Sequence, residues 1–158
     1  MTHTLDNAKY GLTPGVTYTY EKWPASTAVR HFRDVCKALG RHVADLFAAG
    51  AQVEGDYLER LSKAAAAGYL GDLVAAASDY DWMGAFKQMA SDARLVRRDP
   101  SGSFRAVYDA RDQKAAEADA ATHEGGIERY YAGQVDQIFR LWWALLVENS
   151  GPFARRLG

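Results

Sequence analysis

One cysteine, Cys36, stands in 158 residues, which excludes an intramolecular disulfide and fits a reducing compartment. Neither sign of charge is in excess. The 19 Lys and Arg against 20 Asp and Glu give a formal net charge of −1, and the arginines are scattered. Nucleic acid and anionic membrane surfaces select for a concentrated basic face, so neither is expected as a partner. Long apolar runs are absent too. The longest, Leu141 to Val147, is far short of the ~20 residues that cross a bilayer. The opening residues MTHTLDNAKYGLTPG have neither the basic start nor the apolar stretch of a signal peptide. What remains is a length that suits one domain with a core needing no disulfide or metal.

Catalytic patterns are missing as well. Histidines occur at positions 3, 31, 42 and 123, and none has a second ligand at the i, i+4 spacing that puts two donors on one helical face. His31 and His42 read as surface residues, and neither a metal nor a cofactor is expected. Cys36 falls on the apolar side of its helix, and His31, five residues away, points elsewhere, so Cys36 reads as a small buried hydrophobe. Asp79 and Asp81 bracket Tyr80 just before Trp82, the arrangement of a helix cap with a favourable first-turn charge. No GxxxxGK[ST], GxGxxG or GxSxG string is present, so phosphate-cradling and serine-hydrolase chemistry have no support. The pairs Arg97-Arg98 and Arg155-Arg156 lack the interleaved aromatics of a stacking platform.

What is present is mostly helical in pattern. Residues 1–15 show little periodicity and read as a flexible arm, with a single mainly helical domain over 16–158. In VTYTYEKW, Val16, Tyr18 and Tyr20 alternate with Thr17, Thr19 and Glu21, the period of a strand with one buried face. Pro24 stops that strand. Ser26 or Thr27 can then cap a helix with Val29, Phe32, Val35, Cys36 and Leu39 on its apolar face, ended by Gly40. Short helices are expected from there to about residue 94. Asp99-Pro100-Ser101-Gly102 is turn chemistry between two runs, Leu95 to Arg97 and Phe104 to Val107, that can pair as a hairpin. The Ala-rich, charged stretch RDQKAAEADAATHEGG is an exposed helix or a connector.

The last element is the most apolar. Ile127, Tyr131, Val135, Ile138, Trp142 and Leu145 recur at helical steps, and Gly151-Pro152 is expected to end the helix. From Leu141 to Val147 the helix is apolar on every side, as suits either the centre of a core or a surface that meets another chain. A core stripe of Ile138, Trp142 and Leu145 would leave Tyr130, Phe139, Trp143, Leu146 and Phe153 in excess. Large aromatics bury much area for little lost rotamer entropy, so they are enriched where proteins meet.

Two stretches carry a resemblance. TYTYEKWPASTAVRHFRDVCKALG, a strand followed by a Pro-Ala turn into a helix, resembles the front of the tail assembly chaperones of long-tailed bacteriophages. YYAGQVDQIFRLWWALLVENSGPF resembles their end: paired aromatics (Tyr130, Tyr131), a small residue (Gly133), an apolar helix, then Asn149 followed shortly by Phe153. In that pattern an aromatic commonly follows the Asn at once, whereas Ser150, Gly151 and Pro152 intervene here. The resemblance implies a non-catalytic helper in the host bacterial cytoplasm that coats the tape measure protein and keeps it soluble until tail tube subunits polymerise around it. It also implies recruitment of the tail tube protein and self-association.

The sequence therefore predicts a mainly α fold of short helices, with a small N-terminal β element and a long aromatic C-terminal helix. Tyr130, Tyr131, Phe139, Trp142, Trp143, Leu146 and Phe153 are the candidate partner contacts, with Asn149 as a cap or hinge; Trp142 could equally be pure core. The alternative is a small helical ligand-binding protein or enzyme, its pocket lined by Asp79, Tyr80, Trp82 and a histidine.

Overall fold

The computed structural model describes residues 1–40, 80–108, 131 and 133–157. In chain order they form β1 (Thr2–Thr4), α1 (Asn7–Tyr10), β2 (Thr17–Glu21), α2 (Ala25–Leu39), α3 (Trp82–Asp92), β3 (Val96–Arg98), β4 (Phe104–Ala106) and α4 (Val135–Leu157). The strands make one antiparallel sheet in the order β1-β2-β3-β4. The fold of the described residues is thus mixed, with helices and a sheet sharing the core, rather than mainly α. The short helices expected over 41–79 and the Ala-rich stretch lie outside the described residues.

The alternation in β2 does what its period implies. Val16, Tyr18 and Tyr20 are buried while Thr17 is exposed. Thr19 pairs with Thr4 on one side and with Val96 on the other. The hairpin expected around Asp99 forms, with Arg97 opposite Arg105. Its turn is closed by the Asp99 N–H donating to the Ser103 carbonyl (2.8 Å) and the Gly102 N–H to the Asp99 carbonyl (2.9 Å). Gly102 sits at φ 88°, where a Cβ would be strained.

Residues 1–15 do not form the flexible arm that their composition predicts. They contribute β1 and α1 and bury Leu5, Tyr10 and Leu12. Asp6 caps α1 by accepting from the Lys9 N–H, and left-handed Gly11 closes it. The Asn7 side-chain amide donates to the carbonyls of Thr13 and Val16, which ties the following loop to the start of β2.

Helix α2 begins directly after Pro24, with no side-chain cap, so neither Ser26 nor Thr27 has the capping role. Its buried face is Ala28, His31 and Val35 with Phe32 half-buried, and Val29 is 46 % exposed. The stripe is rotated from the one that hydropathy predicts, because His31 is polar and buried while Val29 is apolar and exposed. Cys36 is half-buried, and burial pushes its thiol up. Gly40 ends the helix, donating to the Cys36 carbonyl at 2.8 Å. Helix α3 is capped by Asp81, which accepts from the Gly84 N–H at 2.9 Å, and buries Phe86, Met89 and Ala90.

Helix α4 starts later and ends later than its sequence pattern suggests. Tyr131 lies in a turn before it, and Val135, its first residue, is 56 % exposed. Leu141 to Val147 are all buried, which settles their all-round apolar character: α4 runs through the middle of the core against α1, α2 and α3. The helix does not stop at Gly151-Pro152 but continues to Leu157.

Candidate functional site

Helix α4 presents two unlike neighbourhoods. The first is aromatic. Trp142, 1 % exposed, lies edge-on to Trp82 (ring centroids 4.8 Å apart) and to Tyr80 (6.3 Å). Trp82 in turn meets Tyr80 at 4.6 Å and Phe139 at 5.5 Å, both near perpendicular. Edge-to-face contacts set the positive rim of one ring against the negative face of the next. Tyr80, Trp82, Met83 and Phe139 are only half-buried, so the outer side of this cluster faces away from the core. Burial pushes the Tyr80 phenol up.

The candidate contacts are therefore distributed. Phe139 and Trp142 come together in the aromatic cluster, joined by Tyr80 and Trp82. Trp143 and Leu146 are buried. Tyr131 is buried with its hydroxyl 3.0 Å from that of Tyr18. The Arg97 guanidinium lies over the rings of both Tyr18 and Tyr131, 5.9 and 5.5 Å from their centroids. Tyr130 and Asp79 lie outside the described residues; Phe153 belongs to α4, but its side chain is outside them too.

The second neighbourhood is polar and centres on Glu148, which no sequence motif marks. Its carboxylate accepts from the hydroxyls of Tyr10 and Tyr20 and from the Lys9 ammonium at 3.3 Å, while Lys22 stands 3.8 Å away. Burial alone would push this carboxyl up, but the Tyr10 hydrogen bond, the Lys9 charge and the Tyr20 hydrogen bond outweigh it and hold the group below its ordinary value. One acidic side chain thus joins α1, β2 and α4. A lone Glu at the end of an apolar run is the only trace of this in the sequence.

Asn149 is next to it and is buried within the helix, as a cross-link rather than a cap. Its amide donates to the Leu145 carbonyl at 2.8 Å, and its Oδ1 accepts the Trp23 N–H at 2.8 Å. Substituting Asn149→Leu would leave that buried N–H without its partner. The expected loss is about 1–3 kcal/mol, read as a lower urea midpoint; an unchanged midpoint would remove Asn149 from this role.

His31 is not a surface residue, as its polarity predicts, but is 5 % exposed. Its Nε2 lies 2.7 Å from Asp92 Oδ2, and its ring packs on Trp23 at 4.6 Å. Asp92 also accepts from Arg30 at 2.9 Å and from Gln88 at 3.0 Å. Burial lowers the imidazole more than the Asp92 carboxylate raises it, so at neutral pH the ring meets Asp92 as a neutral donor. This cluster fastens α2 to α3. The contacts of His31 among the described residues are with Asp92 and Trp23 rather than with Tyr80 or Trp82.

Among the described residues, a central apolar helix is thus gripped by a sheet and short helices, with half-buried aromatics to one side. The family model for phage tail assembly chaperone protein, TAC, matches residues 14–157. The chain belongs to this family, a family of chaperones without enzymatic activity. No curated protein and no solved structure matches the chain. No helix among the described residues is long and apolar enough to cross a membrane.

Proposed function

We propose that this tail assembly chaperone acts in the host cytoplasm on the tape measure protein, keeping its helical segments soluble and helping to recruit tail tube subunits. Family membership supports the general role. The half-buried aromatic cluster supports the surface: Phe139 and Trp82 offer ring area to an apolar helix, and Trp142 backs them from the core. A chaperone of an apolar helix needs an aromatic face of its own within a charged surface. Tyr131, Trp143, Leu146 and Asn149 act in this reading by holding α4 in place, while Tyr130 and Phe153 are proposed as further contacts on the same segment. Self-association belongs to the same proposal.

The test is co-expression with the tape measure protein of the same phage. Soluble copurification is expected, and Phe139→Ala should weaken it at least tenfold while the variant keeps a thermal midpoint within a few degrees of the parent. A tape measure protein that stays insoluble beside abundant folded partner would sink the functional proposal. Full copurification with folded Phe139→Ala would move the contact elsewhere.

A further inference from the structure

Helix α4 continues through Pro152 to Leu157, although proline has no N–H to give to the carbonyl four residues back. That carbonyl is Glu148 O. In this protein it accepts a hydrogen bond from the Lys22 ammonium. One residue further along each segment, the Asn149 side chain accepts the Trp23 N–H. The corner between β2 and α2 therefore reaches α4 at two successive residues, just where the backbone ladder loses a rung.

We infer that Lys22 is an external substitute for the missing amide of residue 152, and that this substitution carries α4 past Gly151-Pro152. A proline inside a helix leaves one carbonyl unpaired and crowds it outward. An unpaired carbonyl is met by water, by a side chain or by termination of the helix. A lysine just past β2, in a corner that is itself pinned by three hydrogen bonds, supplies a charged donor there without having to search for it. Those bonds are Glu21 N–H to the Ala93 carbonyl at 2.7 Å, Trp23 N–H to Asn149, and Trp23 Nε1–H to the Met89 carbonyl at 3.2 Å. Segment 150–157 is then a continuation of the core helix, held in line by a residue more than a hundred positions earlier in the chain.

Lys22 also approaches the Glu148 carboxylate and lies 5.6 Å from the centroid of the Tyr20 ring. A single substitution would remove all of these contacts together, so the test is a double-mutant cycle. Lys22→Met is made in the parent and in a Pro152→Ala background, where residue 152 regains an N–H. The carboxylate and ring contacts are lost in both backgrounds and cancel. Lys22→Met is expected to lower the thermal midpoint by about 3–6 °C in the parent and by less than half as much beside Pro152→Ala. A drop that shrinks by less than half overturns the inference. Should Lys22→Met fail to fold in the parent, the comparison is read as rescue: a folded double variant supports the substitution, and an unfolded one overturns it.

Discussion

Trp142→Ala is expected to lower stability by about 3–5 kcal/mol, the range for removing a large buried aromatic. Against the roughly 5–15 kcal/mol that holds a domain together, this is enough to unfold a marginal protein. The indole is 1 % exposed and bordered by Tyr80, Trp82 and Trp143. Its removal empties the centre of the cluster rather than trimming an edge. The thermal midpoint should fall by on the order of 10 °C, or the near-UV circular dichroism of the native state should disappear. Trp142→Phe, which keeps part of the volume, should fall between parent and Ala. A Trp142→Ala protein as stable as the parent would show that the residue is not core, and would make its loss of partner binding interpretable in a way that the buried position does not allow. This is why Phe139, half-buried in the same cluster, is the better probe of binding.

Glu148→Ala should be nearly as damaging at neutral pH. It removes the acceptor of two tyrosine hydroxyls and the counter-charge of Lys9 and Lys22. The side chain is 26 % exposed, so water relieves part of the loss, and about 2–3 kcal/mol is expected. The effect has a pH signature. Because the folded protein holds this carboxyl below its ordinary value of about 4.3, the ionised group stabilises the fold fully above that value. The contribution is lost as pH falls through the lower folded value. The difference in stability between parent and Glu148→Gln should accordingly be constant from about pH 7 to pH 5 and shrink below about pH 4. A difference that persists unchanged at low pH would mean that the carboxylate charge contributes nothing to the hub.

Both residues show where the sequence is readable. The buried face of β2, the hairpin around Asp99, the Asp81 cap and the apolar middle of α4 depend on neighbours within a few positions, and periodicity or turn chemistry reveals them. Strand β1 could not be seen this way, since Thr2, His3 and Thr4 are polar and become a strand only by pairing with Glu21, Tyr20 and Thr19. Helix α1 is a single turn with too few residues for a period. The Glu148 hub is formed by partners whose separation in the chain reaches 139 positions, and no local pattern records it. His31 and Val29 exchanged places for a related reason: Asp92 and Trp23 make a buried site suitable for an imidazole, and polarity alone does not show that. The aromatic excess of the last segment was legible as an excess, but not its division between a buried core and a half-buried flank.

The long reach of the last helix also sets the order in which this protein can be made. Among the described residues, the clasps on Glu148 and Asn149 from outside α4 come from residues 9 to 23, at separations of 126 to 139 positions. During synthesis these N-terminal residues emerge long before the helix that they clasp. Contacts of such long range form late and slow the search for the native state. Until α4 is clear of the ribosome, Tyr10 and Tyr20 lack the Glu148 carboxylate that their hydroxyls meet in the native state, so a protein that belongs to a chaperone family passes through a stage in which its own aromatics need shielding.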